Sequence, residues 1–104
     1  MSNLNVALKS LDLTPKQVEV YLTLLQLGQC TASTLANKLR INRTTLYSIL
    51  KVMQNRGLVS NYKKQSATFF SAIAPDLILE KARRKLNEAQ TQFNQIESVI
   101  PELK

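Results

Sequence analysis

Gly57 divides this chain by period. Before it, apolar residues recur at the three- and four-residue intervals of helices, whereas after it "LVSNYK" and "TFFSAI" alternate with period two and are rich in the β-branched and aromatic residues of strands. From Pro75 the helical interval returns and is expected to continue unbroken until Pro101. An order of helices, one hairpin and one long helix leaves few architectures open.

The helical part is clearly punctuated. "LNVALKSLDL" sets Leu4, Ala7, Leu8 and Leu11 on one face and predicts a short opening helix. In "TPKQVEVYLTLLQLG", Thr14 can cap, Pro15 suits the first helical position, Gln17 completes a capping box and Gly28 can close the helix in a left-handed conformation. Val18, Tyr21, Leu22 and Leu25, with their apolar neighbours, form its buried face. "TASTLANKLR" predicts a shorter helix, capped by Thr31 or Ser33 and buried through Ala32, Leu35, Ala36 and Leu39. Ile41 and Asn42 leave room only for a tight turn, Ile41 plugging the core and Asn42 capping a helix that runs from Arg43 to Arg56. Its buried side is Leu46, Ile49, Leu50 and Met53, and Gly57 ends it.

Two helices joined this tightly make a helix-turn-helix, and the two-stranded hairpin over 58–73, turning through Lys64 to Ala67, follows it directly. The expected fold is therefore mainly α with a small β-hairpin (α+β), a winged helix-turn-helix followed by a long C-terminal coiled-coil helix. In that last helix Leu79, Ala82, Leu86, Ala89, Phe93, Ile96 and Ile100 are separated by 3, 4, 3, 4, 3 and 4 residues, the coiled-coil interval. At about 1.5 Å per residue the seam spans about 33 Å, longer than a small domain needs for its own packing, which predicts a homodimer. The antiparallel orientation is favoured, because it sets Arg83 of one helix against Glu97 of the other about a centre at Gln90. Two units are expected: residues 1–74 as the winged head and 75–104 as the dimerisation helix.

Charge says what the head meets. Residues 1–74 hold nine Lys/Arg and two acids, against five of each in residues 75–104, so the whole net charge of +7 lies in the first part. Residues 20–75 contain no Asp or Glu, yet carry Lys38, Arg40, Arg43, Lys51, Arg56, Lys63 and Lys64. A solvated face normally mixes signs, so one sign over this length predicts a polyanion partner. A membrane surface would need a spare apolar helix face, no apolar run approaches the roughly 18 residues of a span, and "MSNLNVALKS" lacks a signal peptide's pattern. A cytoplasmic location and no membrane partner are the expectation. With no histidine and one cysteine, no metal, cofactor or disulfide is expected, and no catalytic constellation is present. Cys30 is read as a small residue in the turn after a helix, ahead of a thiol sensor.

Projected at about 100° per residue, the helix over 43–56 turns Thr44, Ser48, Lys51 and Asn55 away from its apolar side, flanked by Thr45 and Tyr47, with nothing acidic or strongly apolar among them. Such a surface fits a DNA major groove. Arg43, Thr45, Tyr47 and Ser48 are the expected base readers, and Thr44 and Lys51 contact phosphate or both. Thr31, Ser33 and Lys38 are candidate backbone clamps, while Lys63 and Lys64 on the wing reach an adjacent groove or its phosphates. A winged-helix protein-protein interaction module in a nucleic-acid-associated assembly is the alternative. RNA is less favoured, because no exposed aromatic platform is evident.

The stretches "LDLTPKQVEVYLTLLQLGQCTASTLANKL", "RTTLYSILKVMQNRGLV" and "FFSAIAPDLILEKA", in that order, resemble the TrmB-like family of archaeal and bacterial transcriptional regulators over about residues 8 to 104. The resemblance implies a DNA-binding winged helix whose following helix dimerises, and carries the DNA role to Arg43, Thr44, Thr45, Tyr47 and Ser48. The chain departs from the pattern in having no glycine at Arg40 to Asn42 or in the wing. Many relatives also carry a C-terminal sugar-binding domain. If the chain ends at Lys104, a constitutive regulator, or one switched by a protein partner or Cys30, is expected.

Overall fold

The computed structural model describes residues 2–103. The elements are α1 (Ser2–Ser10), α2 (Pro15–Leu27), β1 (Cys30–Thr31), α3 (Ala32–Leu39), α4 (Arg43–Asn55), β2 (Val59–Lys64), β3 (Ala67–Ala72) and α5 (Pro75–Leu103). This is a winged helix-turn-helix with a long trailing helix.

The punctuation read above operates as chemistry. Thr14 accepts a hydrogen bond from the Gln17 amide at 3.1 Å and the Gln17 side chain accepts one from the Thr14 amide at 2.9 Å, which closes the capping box on α2. Thr31, not Ser33, caps α3. Glycine is needed at Gly28, where φ 74° with ψ −158° is positive but extended, not left-handed helical as expected. The left-handed helical position at the end of α3 belongs instead to Arg40, at φ 59° and ψ 43°, which explains a tight helix-turn-helix without glycine there. Gln65 takes φ 58° at the first of the two loop residues between β2 and β3, so the wing also turns without glycine.

One strand escaped sequence reading. The sheet has three strands in the order β1-β3-β2, all antiparallel, with Cys30 opposite Phe70 and Thr31 opposite Phe69. Two residues are too few to show a period of two, and Thr31 was one of the two candidate caps of α3. Cys30 consequently lies in a strand rather than a turn and is buried, which pushes its thiol pKa up, away from the low value a sensor needs.

The core gathers Leu8, Val20, Tyr21, Leu24, Leu35, Leu46, Leu50, Met53, Leu58 and Ile78. Val18, Leu22, Leu25, Leu39, Ile41 and Ile49, expected inside, are only partly buried at its margin. Burying these apolar groups supplies the main driving force, about 1.5–3 kcal/mol for each large side chain taken fully out of water. Tyr21 donates its hydroxyl to the Ile73 carbonyl at 2.6 Å, tying α2 to the chain just after β3. Desolvation, and then the charge of Asp76, push the Tyr21 pKa up to about 12.

The start of α5 belongs to the same packing through Ile78, which is fully buried, and through Lys85, which pairs with Asp12 in the α1–α2 turn. Arg56, after α4, donates to the Leu11 carbonyl of that turn. From Arg83 to Ile100 every residue is exposed, and α5 makes a molecule 63 Å long and about 25 Å across. The helix passes Pro101, where a stop was expected, and ends at Leu103. A proline this close to the terminus removes only a bond in the last turn.

Candidate nucleic-acid interface

α4 is aimed by its ends and its buried side. Asn42 accepts from the Thr45 amide at 2.7 Å and fixes the first turn, while Leu46, Leu50 and Met53 seat the helix in the core. The opposite side therefore shows Thr44, Thr45, Ser48 and Lys51 to solvent, all exposed. Ser48 donates to the Thr44 carbonyl at 3.3 Å, which holds its hydroxyl close against the helix. One expectation fails here: Val52 is 46% exposed on the outer side, so the face carries an apolar residue. Helical projection from Ser48 places it there, one turn on, and the count of polar residues hid it.

Arg43 and Tyr47 do not share that outward arc. They turn toward the wing, with Arg43 Nη2 at 3.4 Å from the Tyr47 hydroxyl and its Cζ at 5.9 Å from the ring centroid. Tyr47 in turn stands edge-on to Phe70 of β3, at 6.4 Å between centroids. The pair lines a cleft of about 300 Å³ together with Thr31, Ala32 and Ser33 at the start of α3 and Ser66, Ala67 and Thr68 of the wing. Hydroxyls and one guanidinium dominate this lining, and no acid is in it.

The remaining expected residues are exposed around these two surfaces: Ser33 and Lys38 on α3, and Lys63 and Lys64 at the end of β2. Across the hairpin, Tyr62 stacks on Phe69 with centroids 5.7 Å apart and reaches Gln29 with its hydroxyl. That contact fastens the wing to the corner after α2. Tyr47 and Tyr62 are both partly exposed, so the aromatic surface is larger than the sequence suggested, but each ring has one side engaged within the chain. Ser66 and Thr68 were missed. Only their place in the hairpin turn and the following strand could have flagged them, because short polar residues are ordinary in such positions.

Among the described residues no group of three His, Cys, Asp or Glu side chains is placed to hold a metal, and no helix is long and apolar enough to cross a membrane.

A helix-turn-helix whose second helix is presented beside a three-stranded wing defines a protein of the winged helix-turn-helix class. The family model for the sugar-specific transcriptional regulator TrmB matches residues 8–76, and the chain belongs to that family. No curated protein matches the chain. Among solved structures it is similar to an ArsR-like transcriptional regulator from Rhodococcus sp. RHA1, at 21% identity and TM-score 0.63 over 99% of this chain and 93% of that one. It is also similar to the ST1889 protein of the thermoacidophilic archaeon Sulfolobus tokodaii, at 24% identity and TM-score 0.66 over 86% and 89% of the two chains. The oxidised form of MarR from E. coli gives 18% identity and TM-score 0.63 over 96% and 82%. At these identities the likeness is one of fold.

Proposed function

We propose that the chain is a sequence-specific double-stranded DNA-binding regulator that works as a homodimer, with α4 in the major groove and the wing on the adjacent groove or its phosphates. The observation that carries this reading is the exposed outer arc of α4. Thr44, Thr45, Ser48 and Lys51 are presented there on a helix held rigidly by its cap and core side, with no carboxylate nearby. Hydroxyls and an ammonium can donate to or accept from base edges, and Val52 can meet a thymine methyl. Lys38, Arg43, Lys51, Lys63 and Lys64 supply the phosphate attraction. Ten such cations in a dimer set an upper limit of roughly −9 on the slope of log affinity against log salt.

Residues 1–74 are the head and 75–104 the stalk in this reading. The stalk's expected seam is open to a partner: Leu79, Leu86, Phe93, Ile96 and Ile100 are 43%, 68%, 56%, 62% and 47% exposed. Ala89 is exposed as well, while Ala82 already packs against the chain's own core. A second copy running antiparallel would cover this stripe and bring Arg83 to Glu97, with two heads addressing two half-sites. About 34 Å, or a multiple of it, is the centre-to-centre spacing at which both recognition helices face the same side of the duplex.

The test is a fluorescence-anisotropy titration against a duplex selected from a random pool and against its scrambled counterpart. The wild type is expected to prefer the selected duplex and to weaken steeply with salt. Thr44→Ala with Thr45→Ala and Ser48→Ala is expected to erase the preference and keep the salt-sensitive remainder. If this triple variant retains full preference, α4 does not read the bases.

A further inference from the structure

We infer that the cleft between α4 and the wing is a clamp for one backbone phosphate of the bound duplex, held by Arg43, and that Tyr47 positions Arg43 there. This rests on the DNA-binding reading above and changes one assignment within it: Arg43 and Tyr47 were expected to read bases.

Three observations lead to the phosphate. First, Arg43 is turned away from the outer arc of α4 and toward the hairpin, its guanidinium resting on the Tyr47 ring at 5.9 Å and bonded to the Tyr47 hydroxyl at 3.4 Å. Tyr47 is itself braced edge-on against Phe70, which is 4% exposed, so the guanidinium has a firm support. Second, the space it faces is lined by short hydroxyl side chains from two other elements, Ser33 of α3 with Ser66 and Thr68 of the wing. Hydroxyls and an arginine fork are donors suited to phosphate oxygens. Among the described residues Arg43 forms no ion pair, so its charge is available to an incoming anion.

Third, the place is where a duplex must put its backbone. When a recognition helix lies in one groove and a wing in the next, the strand dividing those grooves passes between them. The cleft occupies that gap, and its about 300 Å³ is roughly ten waters' worth of space, enough for a phosphodiester with part of its sugar. A base edge, by contrast, is met by the opposite and outward arc of Thr44, Ser48 and Lys51.

Phosphate contact and base contact leave different signatures. Arg43→Ala is expected to weaken the selected and the scrambled duplex by the same factor, at least about tenfold, because charge-assisted hydrogen bonds contribute on that scale. The preference between them should stay unchanged, and the salt slope should fall by about 2 for a dimer, close to one counterion per site. Tyr47→Phe keeps the ring and the charge above it, so it is expected to lose less affinity and leave the slope unchanged. A methylphosphonate scan of the selected duplex should then find one phosphate per half-site whose neutralisation weakens the wild type but not Arg43→Ala. The assignment is overturned if Arg43→Ala removes the preference at an unchanged slope, or if no single phosphate shows this dependence. A wild type without any preference between the duplexes would count against base reading alone, since the slope and the phosphate scan would still report on Arg43. Arg43 is exposed, so an unchanged thermal melt is the expected control.

Discussion

Leu86→Ala separates what holds the head together from what pairs two copies. Leu86 is 68% exposed and lies on the stalk beside Val6, Ala7, Ser10 and Ala82, beyond the buried core. The substitution removes about three carbon groups at about 0.8 kcal/mol each when buried, and about two thirds of that surface is available for a partner to cover, giving about 1.6 kcal/mol per site. A two-fold dimer contains the site twice, so the association should weaken by about 3 kcal/mol, or roughly a hundredfold in dissociation constant. The assay is sedimentation equilibrium across a dilution series, with a thermal melt alongside. The wild type should be dimeric where the variant is monomeric, while the monomer itself should lose only about 0.8 kcal/mol, the share of the side chain already covered by its own chain. Leu50→Ala supplies the contrast: that residue is 1% exposed in the head, and its truncation should cost about 2–5 kcal/mol of folding stability. The reasoning is refuted if the wild type sediments as a monomer at every concentration, or if Leu86→Ala unfolds the head and leaves association untouched.

Other consequences concern individual bonds. Thr14→Ala opens the capping box on α2 and should lower stability by about 1 kcal/mol without changing duplex affinity, read by urea titration. Tyr21→Phe leaves the Ile73 carbonyl without its partner and should cost about 1–2 kcal/mol by the same titration. Because the folded Tyr21 pKa is raised to about 12, its contribution is fully present below the ordinary value of 10.0 and is lost as pH rises through about 12. A phenolate absorbance titration should show a step near pH 12 that Tyr21→Phe removes. Asp12 behaves in the opposite sense. Its carboxyl is held below the usual 3.8 by the hydrogen bond and charge of Lys85, so the pair's contribution is present above that value and disappears as pH falls through the lower folded one. Asp12→Asn should therefore lower the melting temperature slightly at neutral pH, converge with the wild type in acid, and so flatten the acid limb of the melting curve against pH.

What was legible in the chain follows from how local each determinant is. The capping box of Thr14 and Gln17, the Asn42 cap and the change of period at Gly57 act within a few residues, and these features were recoverable along with the heptad stripe of α5. β1 was not, because Cys30 and Thr31 become a strand only when Phe70 and Phe69 arrive from forty residues away. Ile78 hid for a similar reason. The heptad register marks Leu79, while the fully buried residue at the start of α5 is its neighbour, chosen by the shape of the core. Of the interface, the outward arc of α4 could be projected from one helix. The orientation of Arg43 could not, since it depends on Tyr47 leaning on Phe70 across a tertiary contact.

The central claim, that the α4 and wing surface meets duplex DNA, is tested most directly by mapping backbone amide shifts as the labelled protein is titrated with its selected duplex. The account predicts the largest changes at residues 43–52, at Thr31 to Ser33 and at Lys63 to Thr68, with the outer side of α2 and the far half of α5 quiet. Changes concentrated on α2 or the stalk, with α4 silent, would contradict it.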